Sequence, residues 1–244
     1  MYIRNAELTL SDPMFFYSLP IHVGMLNVVI ADAELELIPG EMLDDYQVRK
    51  YAKKRKKPAA EVLLDSNFLH GAIERHFPGG STRMGRPDIF YILLQVLQES
   101  ILNKRGLLRV YIHTKHNKVI HIAPQTRVPK SYNRFVGLME DLFKKQEIQS
   151  GQEKLLTLKD ADLFSLLDDL GKEVVLLSPR GRPSKPEDII REDMSLVIGG
   201  FAEGDFQTDV YSRYSAHSIF PDELTIWSVA SEIVVRYECM FGPL

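Results

Sequence analysis

Apolar residues run along this chain in two kinds of pattern. Short unbroken runs rich in Val, Ile and Leu occupy residues 26–31, 60–64, 173–177 and 195–198. Runs of that length, bounded by polar or turn residues, predict strands buried on both faces. Longer segments repeat their apolar positions at helical spacing. The clearest is residues 89–103, where Leu93, Leu94, Leu97 and Ile101 share one face. Pro87 is pre-set for its first turn. Asp65-Ser66 is an N-cap signal for a helix over residues 67–77. Further helices are predicted over residues 35–57, 132–149, 160–170, 186–192 and 222–237. Residues 107–114 and 118–122 read as two strands around a turn at Lys115-His116-Asn117. Another strand is expected near residues 218–220.

Strands alternating with helices predict an α/β domain with a mainly parallel sheet. One such domain accounts for residues 25–244, with the hairpin at about 105–125 expected as a small antiparallel insertion. Residues 1–24 read as an N-terminal extension, because Pro13 and Pro20 interrupt helix formation there. Phe15, Phe16 and Tyr17 suggest that it docks on the body.

Charge changes this picture in one respect. The formal net charge of −3 over 244 residues does not announce a nucleic-acid binder. The cations are nevertheless segregated, in Lys53-Lys54-Arg55-Lys56-Lys57 and across residues 127–145. Acidic residues concentrate in 32–45, 160–169 and 187–193. The one cysteine, Cys239, permits no internal disulfide, which suits a reducing, cytoplasmic setting. It is expected as a small buried hydrophobe of the last helix. The amino end lacks a signal-peptide pattern, and no run approaches the roughly 18 apolar residues of a membrane span.

Several chemistries find no motif. Of the seven histidines, the closest pair is His113 and His116, across a predicted turn without further ligands, so no metal site is expected. There is no Gly-x-Ser-x-Gly elbow and no Walker or dinucleotide glycine loop. Three features remain. Val197-Ile198-Gly199-Gly200-Phe201-Ala202-Glu203-Gly204 is a strand running into a glycine-bearing loop, and Ser218-Ile219-Phe220-Pro221-Asp222-Glu223-Leu224 is a second such loop. Loops in that position bind ligands in α/β proteins. In Arg86-Pro87-Asp88 the aspartate can hold the guanidinium in place for phosphate or base recognition. The segment from Arg127 to Phe135 mixes Arg127, Lys130 and Arg134 with Tyr132 and Phe135, groups that hold phosphates and stack on unpaired bases.

Longer motifs identify a family. Leu63-Leu64-Asp65-Ser66-Asn67-Phe68, Gly85-Arg86-Pro87-Asp88-Ile89, Val110-Tyr111-Ile112-His113-Thr114, Arg127-Val128-Pro129-Lys130-Ser131-Tyr132-Asn133-Arg134-Phe135 and Ile198-Gly199-Gly200-Phe201 occur in this order. From residue 26 to 238 the chain resembles the Nep1 (Emg1) family of ribosomal RNA pseudouridine-N1 methyltransferases, of the SPOUT superfamily. The resemblance implies a parallel sheet flanked by helices, with a deep trefoil knot at the C-terminal end, about residues 172–244. It implies S-adenosylmethionine as methyl donor, without a metal, a homodimer, and a target in small-subunit rRNA. It also implies a role in small-subunit biogenesis, and as an alternative an rRNA-binding assembly factor for which methyl transfer is dispensable. Carried onto this sequence, the cofactor residues are Leu177, Gly199, Gly204, Ser218, Ile219, Phe220, Pro221 and Leu224. The RNA contacts are Arg86, Arg127, Lys130 and Arg134, where Lys130 stands in place of the family's more usual arginine and keeps only its charge. Arg86 would stabilise negative charge on the target base. Asp88 and Asp65 are alternative proton acceptors, and Asp65 is equally well read as the helix cap.

Overall fold

A computed structural model describes residues 24–242; the segment read as an extension lies almost wholly outside the described residues. The first strand, β1 (Leu26–Ala33), is buried along its whole length. Its alternate residues feed two different cores: Val28 and Ile30 enter one, Val29 and Ala31 the other. A strand apolar on both faces must be covered on both faces, which places β1 at the centre of a layered α/β fold.

Two segments then break the expected helix-and-strand pattern. Pro39 and Gly40 stop a helix from starting at residue 35. Leu37 instead forms an isolated bridge with Leu63, and α1 begins only after the Asp45 cap, at Tyr46–Arg55. The expected strand at 60–64 is a single turn of 3-10 helix followed by that same bridge. Asp65 does cap α2 (Ser66–His76), accepting a bond of 3.0 Å from the Asn67 amide. α1 and α2 enclose a small core of their own around Met42, Val48, Leu64, Leu69 and Ile73.

The 89–103 helix is two helices, α3 (Pro87–Glu99) and α4 (Ile101–Lys104). Ser100 adopts an extended ψ of 154° between them, and its hydroxyl caps the second helix at Asn103. A serine offers the backbone this local alternative to continued helix. β2 (Leu108–Thr114) and β3 (Lys118–Ile122) do form a hairpin. It is integral to the main sheet, because β2 lies parallel beside β1 with Val28 opposite Val110. Val110 and Ile112 carry the core of β1 sideways, which an appended hairpin would not do.

α5 (Tyr132–Lys145) ends four residues before residue 149, where Gln146 turns left-handed with φ 62°. The chain continues into an antiparallel pair, β4 (Glu147–Ser150) and β5 (Glu153–Asp160), where the sequence predicts no strand. α6 (Leu163–Leu170), β6 (Glu173–Pro183), α7 (Pro186–Ile189) and β7 (Met194–Gly199) follow. The last elements are β8 (Ala216–Ser218) and α8 (Ile226–Phe241). Cys239 lies exposed on the outer face of α8, which corrects its expected burial. Helical phase puts it one turn from exposed Val235, away from buried Ile233, Val234 and Tyr237.

The eight strands form one sheet in the order β4-β5-β3-β2-β1-β7-β6-β8. The pairings from β2 to β8 are parallel, and β3, β5 and β4 extend one edge antiparallel. One face packs on α3, α5 and α8 through Phe90, Leu93, Phe135, Ile233 and Tyr237. The other packs on α6 through Leu163, Leu166 and Leu167. Each fully buried Leu, Ile or Phe contributes roughly 1.5–3 kcal/mol, so the sheet is a rigid platform for the loops at its ends.

Candidate active site

The carboxyl ends of three parallel strands converge. β6 carries Leu177 there, β7 ends at Gly199, and β8 ends at Ser218. Beyond Leu177 the pairing of β6 with β8 slips, resuming at Arg182. Residues 178–181 bulge out of the ladder, so the 178–183 stretch is part strand where a loop is expected. Between these ends lies a cavity of about 320 Å³. Loops outside the carboxyl ends of parallel strands are the usual ligand site of open α/β sheets.

Seven of the eight predicted cofactor residues line this cavity: Leu177, Gly199, Gly204, Ser218, Ile219, Phe220 and Leu224. Pro221 does not. It faces an adjacent hollow with Arg182, Lys185 and Ile189. Ser218 bonds the Phe220 carbonyl at 2.8 Å, a tight turn that sends the next residue to the other side. Ile198, Ile226 and Val229 add apolar wall. Ser178, Arg180, Asp205 and His217 add polar groups that sequence reasoning did not single out. Arg180 pairs with Asp205 at 2.8 Å, and the Tyr211 hydroxyl donates to Asp205 at 2.6 Å. A cavity with an apolar wall, four carboxylates (Glu203, Asp205, Asp222 and Glu223) and one guanidinium (Arg180) suits a ligand with a flat apolar part and a cationic amino-acid part, as S-adenosylmethionine has.

The loop after β7 is held from behind by residues outside the cavity. Asp32, buried at the end of β1 with a left-handed φ of 51°, accepts bonds from the Gln207 and Thr208 amides at 2.7 and 2.8 Å. It also accepts from the Thr208 hydroxyl. Arg83 donates to the carbonyls of Glu203 and Asp205 at 3.1 and 2.9 Å. Its guanidinium carbon lies 4.3 Å from the centre of the Phe201 ring, and its Nε pairs with buried Glu34 at 2.7 Å. Gly204 has a φ of 94°, a backbone conformation that strains any residue with a Cβ. Nothing in the local sequence marks Asp32 or Arg83; both act across more than a hundred residues of chain.

Arg86 sits beside the same loop. The Glu34 amide donates to the Gly200 carbonyl at 2.9 Å, and the Glu34 carbonyl accepts from the Arg86 amide. The Arg86 side chain lies on Asp88 through two parallel bonds of 2.9 Å, as the spacing predicts. That carboxylate holds the guanidinium above its ordinary pKa. Asp65 is fully buried, and burial pushes its carboxyl up despite a bond of 2.6 Å from the Tyr132 hydroxyl. Tyr132 in turn brings the predicted RNA-contact segment to this place. Tyr91 of α3 donates to the Lys130 carbonyl at 2.6 Å and its ring meets Tyr132 edge-on. Lys130 Nζ donates to Gln95 at 3.0 Å. Arg127 and Arg134 are exposed and have no ion pair among the described residues. Among those residues no three His, Cys, Asp or Glu side chains converge as metal ligands. His113 accepts from the Asp32 amide and bonds Asn117, while His116 pairs with Glu36.

Fold and site together define an α/β protein with a cavity at the carboxyl ends of its parallel strands, and with two exposed arginines, Arg127 and Arg134, that have no ion pair among the described residues. The EMG1/NEP1 methyltransferase model matches residues 28–238, and the chain belongs to that family. The ribosomal RNA small subunit methyltransferase Nep1 of Thermoplasma volcanium is 54% identical over 222 residues, spanning 90% of this chain and 100% of its own. The protein of the same name from Thermococcus kodakarensis is 42% identical over 224 residues, spanning 89% and 100%. The crystal structure of Archaeoglobus fulgidus Nep1 bound to S-adenosylhomocysteine superposes with a TM-score of 0.78 at 31% identity, covering 88% of this chain and 97% of that one.

Proposed function

We propose that this enzyme transfers a methyl group from S-adenosylmethionine to N1 of a pseudouridine in small-subunit rRNA. The observation that carries the reading is the cavity at the ends of β6, β7 and β8, whose β7 loop is tied through the Glu34 backbone to Arg86, in a chain of a methyltransferase family. The related Archaeoglobus protein, with S-adenosylhomocysteine bound, supports the choice of donor. The names of the relatives support small-subunit rRNA as acceptor.

When bound, the cofactor supplies an electrophilic methyl on a sulfonium. Leu177, Ile219 and Leu224 would enclose its apolar part, and Arg180 and Asp205 would face its charged groups. The chain has then to place the base and manage one proton, because N1 of pseudouridine carries a hydrogen that must leave. Positioning and charge control supply much of such an acceleration. Arg86, Arg127, Lys130 and Arg134 would hold the RNA backbone and base. Arg86 would stabilise charge on the base as N1 loses its proton. Asp88 spends both oxygens on Arg86 and is better assigned to positioning it. Asp65 is also engaged at both oxygens, by the Asn67 amide and the Tyr132 hydroxyl, and is fully buried. Burial raises its pKa toward that of a proton acceptor. It would receive the N1 proton only by relay, with the Tyr132 hydroxyl taking that proton as it passes its own to Asp65.

The reading extends to a knotted arrangement of the β6–α8 region, a cytoplasmic setting and a homodimer. The exposed apolar residues Ile92 and Val96 of α3 and Val235 and Met240 of α8 support the dimer. No helix among the described residues is long and apolar enough to cross a membrane. The test has two parts. Calorimetric titration with S-adenosylmethionine should show binding, and its absence at about millimolar ligand, some 4 kcal/mol of affinity, removes the enzyme. Stem-loop RNAs differing only in uridine or pseudouridine should differ in methyl uptake, and equal uptake refutes the choice of base.

A further inference from the structure

The run Lys53–Lys57 divides into two groups with different work. Arg55 donates to buried Glu140 of α5 at 2.7 Å, and Lys57 pairs with Glu140 at 2.9 Å and with Asp141 at 3.1 Å. These two fasten α1 to α5, the helix that begins at the Arg127–Arg134 segment. Lys53 and Lys54 are exposed and have no ion pair among the described residues, and the same is true of Lys50. Residues 46, 50, 53 and 54 stand at i, i+4, i+7 and i+8, so Tyr46, Lys50, Lys53 and Lys54 share one face of α1. Tyr46 is 69% exposed, more than any other large hydrophobic residue described. Arg49, at the margin of this face, is answered only by Asp44 at 4.0 Å.

The helix dipole favours cations in the last turn of α1 and accounts for Lys53 and Lys54 by itself. It does not account for Lys50 in the middle of the helix, nor for an exposed tyrosine in line with it. On one side an exposed ring of α2 adjoins this face. Phe68 of α2 is 43% exposed and stacks on Tyr51 of α1, with ring centres 5.1 Å apart. Gln47 of α1 donates to the Phe68 carbonyl at 2.9 Å. One turn before Phe68, Asp65 bonds Tyr132. Phe68 thus joins α1 to the start of α2, the helix whose cap Asp65 bonds Tyr132 of the Arg127–Phe135 segment.

We infer that the exposed face of α1, with Tyr46, Lys50, Lys53 and Lys54, and the adjoining Phe68 form a second RNA-contacting surface that grips the strand flanking the target loop. Lysines without acidic partners hold phosphates as point charges, and exposed rings stack on unpaired bases without regard to sequence. The ten residues of α1 span about 15 Å, enough for several successive phosphates. This inference rests on the proposed RNA substrate and adds to its footprint.

The test compares the intact protein with a Lys50→Ala, Lys53→Ala, Lys54→Ala triple variant and a Phe68→Ala variant. Each is titrated with a minimal target-loop RNA and with the same loop carrying its flanking strands. Alanine suits an exposed helix, and a separate Lys50→Gln, Lys53→Gln, Lys54→Gln variant repeats the charge removal with side chains of similar length. The expected result is an affinity for the longer RNA about tenfold lower in both triple variants, with a log–log salt slope shallower by about 2, near 0.7 for each lost contact to a single strand. Phe68→Ala should lose affinity for the longer RNA with little change in slope. Affinity for the minimal loop and for S-adenosylhomocysteine should stay as in the unaltered protein. Unchanged affinity and slope on the longer RNA overturn the inference and leave this face to another partner, such as an acidic protein. Failure of the unaltered protein to bind the minimal loop would instead overturn the proposed substrate.

Discussion

Arg86 and Asp88 show what a residue pair two apart can declare by itself. Both side chains are 28% exposed, and an ion pair in that position contributes at most about 1 kcal/mol to stability. Its value is in presenting a fixed guanidinium fork. Asp88→Ala should therefore leave the unfolding midpoint nearly unchanged, within about 1 kcal/mol of stability, while RNA affinity falls about tenfold, roughly 1.4 kcal/mol. Denaturant unfolding and RNA titration of the same preparation check this, and a loss of stability without loss of affinity would make the pair structural. The pairing was legible because it is local. The Asp65 cap was legible for the same reason. Its bond to Tyr132 was not, since nothing in sequence brings residue 65 to residue 132.

At the scale of elements, the loop after β7 is shaped by groups it does not contain. Asp32 at the end of β1 and Arg83 before α3 hold its backbone at Gln207, Thr208, Glu203 and Asp205. Arg83→Met keeps an unbranched apolar stem and removes the donors. Buried Glu34 keeps a cation, because Lys115 Nζ lies 2.7 Å from it, so the large penalty of a stranded buried charge is avoided. S-adenosylhomocysteine affinity should fall about tenfold, the worth of one or two hydrogen bonds, with RNA affinity changed less than about twofold. Calorimetry on both ligands checks it; unchanged cofactor affinity would show that the loop holds its shape without Arg83. Element boundaries tell a similar story. Helix 67–77 and strands 173–177 and 195–198 were placed closely by caps and apolar runs. The helix predicted from residue 35 failed because Pro39-Gly40 outweighs the apolar spacing. The 89–103 helix failed at Ser100; β4 went unseen because an edge strand needs little apolar sequence, and β5 because its few apolar residues stand among charged ones.

Across the whole molecule, among the described histidines, His113 is buried and His121 and His217 are half-buried, while His70, His76 and His116 are exposed. Burial pushes the His113 imidazole below its ordinary 6.5, against the opposing pull of Asn117, Asp32 and Asp162. His121 and His217 are lowered by burial as well. The unfolded chain thus binds protons near pH 6.5 that the folded chain refuses, so stability is complete above that pH and is lost as pH falls below it. The urea midpoint should drop between about pH 7 and pH 5. His113→Gln should flatten that drop, and an equally steep drop in the variant would exclude His113 as a source. What the sequence determined alone were the α/β class, the Arg86–Asp88 pair, the Asp65 cap, the glycine-bearing loop and, through its longer motifs, the family. Each rests on residues within a few positions of one another, where spacing and propensity act directly. The tertiary structure decided the sheet order that makes the hairpin part of the core. It decided the turn that carries Pro221 away from the cavity, the anchors Asp32 and Arg83, and the division of the basic run between α5 and the surface. Those depend on contacts between segments far apart in the chain, set by which buried faces must cover one another.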